Sequence, residues 1–216
     1  MPVSPAELRR RARKIKLLLM DVDGVLTDGR IYYLPRPGGE MFETKTFHSR
    51  DGFGLRLARE AGLKTGIISG RGSPVVEYRA RELGIEYVEQ RALEKVGPYE
   101  RILRAAKLRD EEVCFVGDDI VDLPLLERVG LAVGVSDGNP LLRRHVHYLT
   151  RQPGGQGAVQ ETIELILSAQ GKWKGILRRL LNQPARPVIA GCSFGFQGVC
   201  AMTRRAAFLP LRGEVC

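Results

Sequence analysis

Leu17-Leu18-Leu19-Met20-Asp21-Val22-Asp23-Gly24-Val25-Leu26-Thr27 is the stretch on which the fold turns. Four apolar residues without alternation run straight into two aspartates separated by one valine. A short unbroken apolar run bounded by polar residues and a glycine reads as a strand buried on both faces, the condition of a parallel sheet. A strand is therefore expected over 17–22, with a loop at its carboxyl end. Three further runs share this character: 65–69 (Thr-Gly-Ile-Ile-Ser), 113–116 (Val-Cys-Phe-Val) and 130–135 (Gly-Leu-Ala-Val-Gly-Val). Between them, residues 52–61, 73–83, 96–106 and 123–129 carry apolar side chains at helical spacing, and Gly62, Gly84 and Gly130 stand where helix C-caps belong. Strands alternating with helices imply a Rossmann-like three-layer α/β domain, a parallel sheet covered on both faces. In such sheets the ligand site lies at the carboxyl ends of the strands.

One stretch departs from the rhythm. Residues 29–34 and 41–47 read as strands and Pro35-Arg36-Pro37-Gly38-Gly39 as the turn between them, a β-hairpin inserted directly after the first strand. Its apolar positions Ile31, Tyr33, Met41 and Phe47 have no helix nearby in sequence to cover them, so the hairpin is expected to build an oligomer. From Asn182 onward Pro184, Pro187, Gly191, Gly195, Gly198 and Pro210 break every pattern, and residues 182–216 are expected to form an irregular, disordered tail. The domain proper is expected over 14–181, after a basic N-terminal extension at 1–13.

The net charge of +9 suggests nucleic acid only until it is divided along the chain. Residues 1–16 hold six basic residues and one acid, and residues 172–216 hold eight and one. The 155 residues between them carry 20 basic and 23 acidic residues, so the domain itself is slightly acidic and offers no footprint for nucleic acid. Cys114, Cys192, Cys200 and Cys216 show neither CxxC spacing nor a companion histidine cluster, which argues against a zinc site or a disulfide framework. No apolar run approaches the roughly 18–20 residues that span a bilayer. With no targeting segment evident, a cytoplasmic protein without membrane partners is expected.

Three strand ends carry groups suited to a phosphate. Asp21 and Asp23, two residues apart where a strand becomes a loop, can converge on one point, and a cation or a shared proton would relieve their repulsion. Gly24 permits close approach of its N–H to a phosphate oxygen. Ser69-Gly70-Arg71 offers a hydroxyl and free N–H groups at a helix start. Gly117-Asp118-Asp119-Ile120-Val121-Asp122 crowds three acids into five residues, and oxygen-only ligands favour Mg²⁺ over zinc. Lys95 precedes a helix between the second and third sites. Each feature alone has a plainer counterpart: a surface turn, a serine N-cap, a solvated acidic loop, a solvated lysine. Their combination is far more specific than its members.

In order and spacing these residues resemble the haloacid dehalogenase superfamily of phosphatases, and most closely its capless branch, the 3-deoxy-D-manno-octulosonate 8-phosphate phosphatases. Arg50-Asp51-Gly52-Phe53-Gly54, Leu83-Gly84-Ile85, Gly130-Leu131-Ala132-Val133, Gly154-Gly155-Gln156-Gly157-Ala158-Val159 and Ala169-Gln170-Gly171-Lys172 extend the resemblance over roughly 14–172. It implies that Asp21 attacks phosphorus and that Asp23 protonates the leaving oxygen and then activates water. Ser69 and Lys95 would hold phosphoryl oxygens. Mg²⁺ would lie on the Asp21 carboxylate, the Asp23 carbonyl and Asp118, with Asp119 and Asp122 orienting that shell. The implied substrate is a phosphorylated 2-keto-3-deoxy sugar acid, with Arg50 and Arg71 as candidates for its carboxylate and Gly24 and Gly70 beside its phosphate. A homotetramer in which neighbouring subunits restrict the site, residues 154–161 closing over a neighbour, is also implied. The family usually has arginine where this chain has Gln160, before Glu161. Phosphatases of nucleotides, or a non-catalytic sugar-phosphate-binding module, would use the same fold; the acidic middle of the chain disfavours the first and the intact motifs the second.

Overall fold

The computed structural model describes residues 3–182; the tail expected beyond Asn182 and three of the four cysteines lie outside them. β1 (Leu17–Met20) is flanked by β4 (Lys64–Ile68) and β6 (Val113–Gly117), both parallel to it. The sheet continues outward to β5 (Tyr87–Glu89) on one side and to β7 (Leu131–Gly134) and β8 (Tyr148–Leu149) on the other. Every pairing in the order β5-β4-β1-β6-β7-β8 is parallel. The strands read from the sequence are the four inner ones. β5 and β8 escaped because they are two or three residues long and lie at the edges, where no apolar run is required.

Side-chain alternation along the strands divides the core in two. Leu18, Met20, Cys114, Val116 and Val133 face α2 (Ser49–Glu60), α3 (Pro74–Leu83) and α6 (Ala158–Ala169). Leu17, Leu19, Phe115 and Ala132 face α4 (Val96–Ala106) and the short α5 (Leu123–Leu126). The helix limits follow local chemistry. Pro74 supplies a preset φ at the start of α3, and Gly84 closes it in the left-handed region (φ 68°).

The N-terminal segment differs from the expected extension. Residues Pro5–Lys14 form a helix, α1, capped by Ser4 and packed against α6, and a compact unit runs from it to Asn182. Arg9, Arg10 and Arg13 do face solvent, but Arg11 is half-buried and donates to Gly130 O (2.8 Å), and Ala12 and Ile15 are buried against the core. Short apolar side chains spaced among six basic residues give a weak periodic signal, which is why the charge dominated the sequence reading. α7 (Trp173–Leu181), also not foreseen, follows α6 and buries Ile176. Among the described residues, no helix is long and apolar enough to cross a membrane.

The hairpin is present, as β2 (Tyr32–Pro35) paired antiparallel with β3 (Met41–Thr44) in a separate two-stranded sheet. Tyr33 and Met41 are largely exposed, whereas Phe47, counted with them from sequence, packs against the main core under the Arg79 guanidinium.

If α1 is a docked element, Ala12→Glu buries an unpaired charge and should lower the unfolding free energy by at least about 2 kcal/mol in a denaturant titration. Arg9→Ala, on the exposed side of the same helix, should stay within about 0.5 kcal/mol.

Candidate active site

The carboxyl ends of β1, β4 and β6 converge, and with them the three polar motifs. A cavity of about 280 Å³ opens there, lined by Asp21, Asp23, Ser69, Arg71, Lys95 and Asp118, with Gly70 and Asp119 also on its wall. A larger cleft between α1 and α6 is lined by apolar and arginine side chains and Ser168, with no carboxylate, histidine or cysteine on its wall.

Asp21 ends the central strand, where its N–H still donates to Val116 O (3.0 Å). One carboxylate oxygen accepts from Val22 N–H at 2.6 Å and the other from the Lys95 ammonium at 2.6 Å. Lys95 enters from the loop after β5 and also donates to Asp122 Oδ1 at 2.6 Å. The second Asp122 oxygen accepts from Asp118 N–H at 3.0 Å and so aims the Asp118 loop. Lys95 and Asp122 are almost completely buried, and a buried ammonium is tolerable only because two carboxylates share it.

Asp21, Asp118 and Asp122 each bring a carboxylate oxygen to within 4.8 Å of the others. Burial lifts the Asp21 carboxyl above the ordinary carboxylate range against the pull of Lys95. Burial, then Asp122 and Asp21, push Asp118 up to about 8. Despite desolvation, Asp21 and Asp122 hold the Lys95 ammonium above its usual value. One ammonium among three carboxylates leaves the cluster short of positive charge. Its donors are all hard oxygens, and this is the donor set that suits Mg²⁺. Asp122, expected to stand behind the metal ligands, is thus a member of the cluster itself, while its second oxygen performs the orienting role. Asp119, on the cavity wall but outside the cluster, accepts through Oδ1 from Ile120 N–H and Asn139 Nδ2 at 2.8 Å each, and holds the loop after β7.

Asp23 lies on the loop that turns on the Val22 carbonyl, which accepts from Leu26 and Thr27 N–H at 3.0 Å each. Gly24 (φ 85°) lies so near Asp118 that an added Cβ would stand 2.1 Å from Oδ2. A side chain there would strain the left-handed backbone and displace the Asp118 carboxylate. Ser69, nearly buried, accepts from Arg71 N–H (3.3 Å). Arg71 donates to Glu43 Oε2 on the hairpin at 2.5 Å. Arg50 is not brought to the cavity; it sits beside Gly157 in the loop after β8. Two charged residues at the site, Glu43 and Lys45, were missed. A Glu-Thr-Lys run at the end of a solvent-facing hairpin carries no signal of where the hairpin will fold.

Gly154 and Gly155, at the start of the 154–161 segment, pack against their own chain's 24–28 loop. Gly155 N–H donates to Val25 O (2.8 Å), and a Cβ on Gly154 would stand 1.8 Å from Gly24 O. Asp51, buried in α2, accepts from Gly157 N–H (3.1 Å) and Gln160 N–H (2.9 Å), so it caps α6 from another element. Glu161 accepts from Arg151 and Gln152 N–H (3.0 Å each) and from the Tyr148 hydroxyl.

A family model for haloacid dehalogenase-like hydrolases matches residues 54–130. The chain is 43% identical over 171 residues to the 3-deoxy-D-manno-octulosonate 8-phosphate phosphatase KdsC of Escherichia coli, spanning 79% of this chain and 88% of that relative. The crystal structure of the Yersinia pestis 3-deoxy-D-manno-octulosonate 8-phosphate phosphatase matches with a TM-score of 0.74 at 42% identity, over 78% of this chain and 89% of the other. The Moraxella catarrhalis phosphatase of the same name, a complex with magnesium ion, phosphate ion and a KDO molecule, matches at 0.77 and 34% identity, over 82% and 99%. Fold and site together define a haloacid dehalogenase-like hydrolase. Within that class the chain belongs to the 3-deoxy-D-manno-octulosonate 8-phosphate phosphatase family of phosphoric monoester hydrolases.

Gly154→Ala should displace the backbone that carries Asp23 and Gly24. A loss of at least about tenfold in kcat/KM is expected, since small misplacements at a reacting centre are costly. Gly175→Ala, in α7 with open space around it, should leave steady-state kinetics unchanged.

Proposed function

We propose that the protein is a Mg²⁺-dependent phosphomonoesterase that hydrolyses 3-deoxy-D-manno-octulosonate 8-phosphate through an aspartyl-phosphate on Asp21. The carrying observation is the placement of the Asp21 carboxylate. It ends the central strand, fixed by Val22 N–H and Lys95, on the wall of a cavity whose lining includes Asp23, Ser69, Arg71, Lys95 and Asp118.

In the first half-reaction an Asp21 oxygen forms a bond to phosphorus as the ester P–O bond breaks. Asp23, entering as the acid, passes its proton to the departing sugar oxygen. In the second, Asp23 as carboxylate takes a proton from water, whose oxygen bonds to phosphorus as the acyl-phosphate P–O bond breaks and Asp21 is regenerated. Ser69 Oγ and the Lys95 ammonium hold the non-bridging phosphoryl oxygens, and the Gly24 and Gly70 backbones leave room for them. The Asp21 and Asp118 carboxylates and the Asp23 main-chain carbonyl would hold Mg²⁺, which when bound offsets the repulsion between an anionic nucleophile and an anionic ester. Asp122 keeps Asp118 aimed, and Asp119 keeps the neighbouring loop in place. Phosphoryl transfer needs little covalent assistance, so positioning and charge neutralisation of this kind supply most of the rate.

The sugar-acid substrate is supported by the relatives above and by Arg71, whose planar fork at the cavity rim suits a carboxylate. Rates with the sugar-acid phosphate, plain sugar phosphates and nucleotides should rank the first highest in kcat/KM. A nucleotide ranked above it would overturn the substrate assignment. Asp21→Asn should lose at least about 10³-fold in kcat, roughly 4 kcal/mol, with an unchanged melting curve. A chelator should abolish wild-type turnover and added Mg²⁺ restore it.

We also propose a homotetramer built through the hairpin, supported by the exposed apolar side chains of Tyr33, Leu34 and Met41. Light scattering at micromolar concentration should give four times the chain mass; a monomer would sink this assembly.

A further inference from the structure

Lys45 follows β3 on a hairpin whose strands face solvent, yet its side chain has no exposure at all. Its ammonium contacts Asp23 Oδ1 and lies 3.3 Å from Glu43 Oε1. On the other side of the same aspartate, Arg71 Nε stands 4.0 Å from Asp23 Oδ2, while Arg71 Nη2 donates to Glu43 Oε2 at 2.5 Å. Glu43 therefore lies between two cations, each of which also faces Asp23. A fully buried ammonium is expensive to keep and would be strongly disfavoured without its carboxylates. Solvent alone would serve a lysine at a hairpin terminus. Burying this one against Asp23 immobilises a carboxylate that otherwise, with a fifth of its side chain exposed, would be free to rotate.

Proton transfer requires the donor oxygen within hydrogen-bond reach of the reacting atom, first the leaving oxygen and then water. An anchored carboxyl group, protonated on its free oxygen for the first transfer and ionised for the second, meets that requirement twice without reorientation. We propose that Lys45 is a positioning residue for Asp23: it holds Oδ1 so that Oδ2 faces the cavity for both proton transfers, and Glu43 steadies Lys45 and Arg71 on either side. This rests on the acid–base role of Asp23 proposed above. It gives the hairpin a part in the chemistry of its own chain, separate from any role in assembly.

The test exploits leaving-group dependence. kcat/KM reports the steps up to departure of the leaving group. A primary sugar phosphate needs a proton donor at that stage, and p-nitrophenyl phosphate, whose phenolate departs unaided, does not. Full-length Lys45→Met should lose at least about 30-fold in kcat/KM on the sugar-acid phosphate. On p-nitrophenyl phosphate it should stay within about threefold. Lys45→Arg, which keeps a cation, should recover most of the ratio between the two substrates. Asp23→Asn is measured alongside as the reference. If Asp23→Asn collapses the ratio and Lys45→Met leaves it unchanged, including by equal losses on both substrates, Lys45 does not position the acid and the proposal fails alone. If Asp23→Asn itself leaves the ratio unchanged, the acid–base assignment fails and the proposal with it. Should Lys45→Met not fold, Lys45→Gln, which retains an N–H donor, is held to the same ratio.

Discussion

Three carboxylates and one ammonium at the carboxyl edge of the sheet set the terms for everything around them. Asp21, Asp118 and Asp122 approach closely enough to repel, and Lys95 bonds two of them from a buried position. Such a cluster is costly to bury and would disperse if its carriers could move. They cannot, because Asp21 and the 118–122 turn are continuations of adjacent parallel strands in register, Met20 beside Val116. The interior of the sheet, apolar on both faces, is what holds the charged edge together.

The loops that build the cavity are braced from behind. The 24–28 loop is pressed by a second loop at Gly154 and Gly155, which approach so closely that no side chain fits between them. That second loop is in turn held by Asp51 across α2 and α6, by Asp137, which accepts from Gly154 N–H at 2.8 Å, and by Glu161. These three carboxylates, of which Asp51 is fully buried, thus act on backbone N–H groups and do not line the cavity. The chain uses acids in two ways: exposed to a ligand at the strand ends, and satisfied by amides in the shell behind. Gln160, where the family usually has arginine, falls into the second setting, its N–H bonded to Asp51 and its side chain against Gly54.

A domain without a cap must limit access to its site by other means. Here the hairpin follows the loop that ends β1 and bends back, so that Glu43 and Lys45 reach Asp23 and Arg71. Its outer face stays apolar and exposed. One short element thereby joins the carboxylates at the strand ends to an exposed apolar surface.

Much of this was legible in the residues themselves. Unalternating runs at 17–20 and 113–116 determined that the sheet is parallel and doubly covered, because only burial on both faces removes the need for polar alternation. The Asp-x-Asp and Gly-Asp-Asp-x-x-Asp spacings then located the site at strand ends. Elements whose stability comes from contacts were not legible. β5 and β8 exist because a longer neighbour pairs with them, and α1 because α6 offers a face for Ala12 and Ile15. The same holds within the site. Asp21, Asp23, Ser69, Lys95 and Asp118 announce themselves by motif, but Lys45 and Glu43 look like any surface charge until the fold closes, and the Asp51 run gives no sign that its carboxylate caps α6. Which side chains become buried partners depends on distances between residues far apart in sequence, and those distances exist only in the packed molecule.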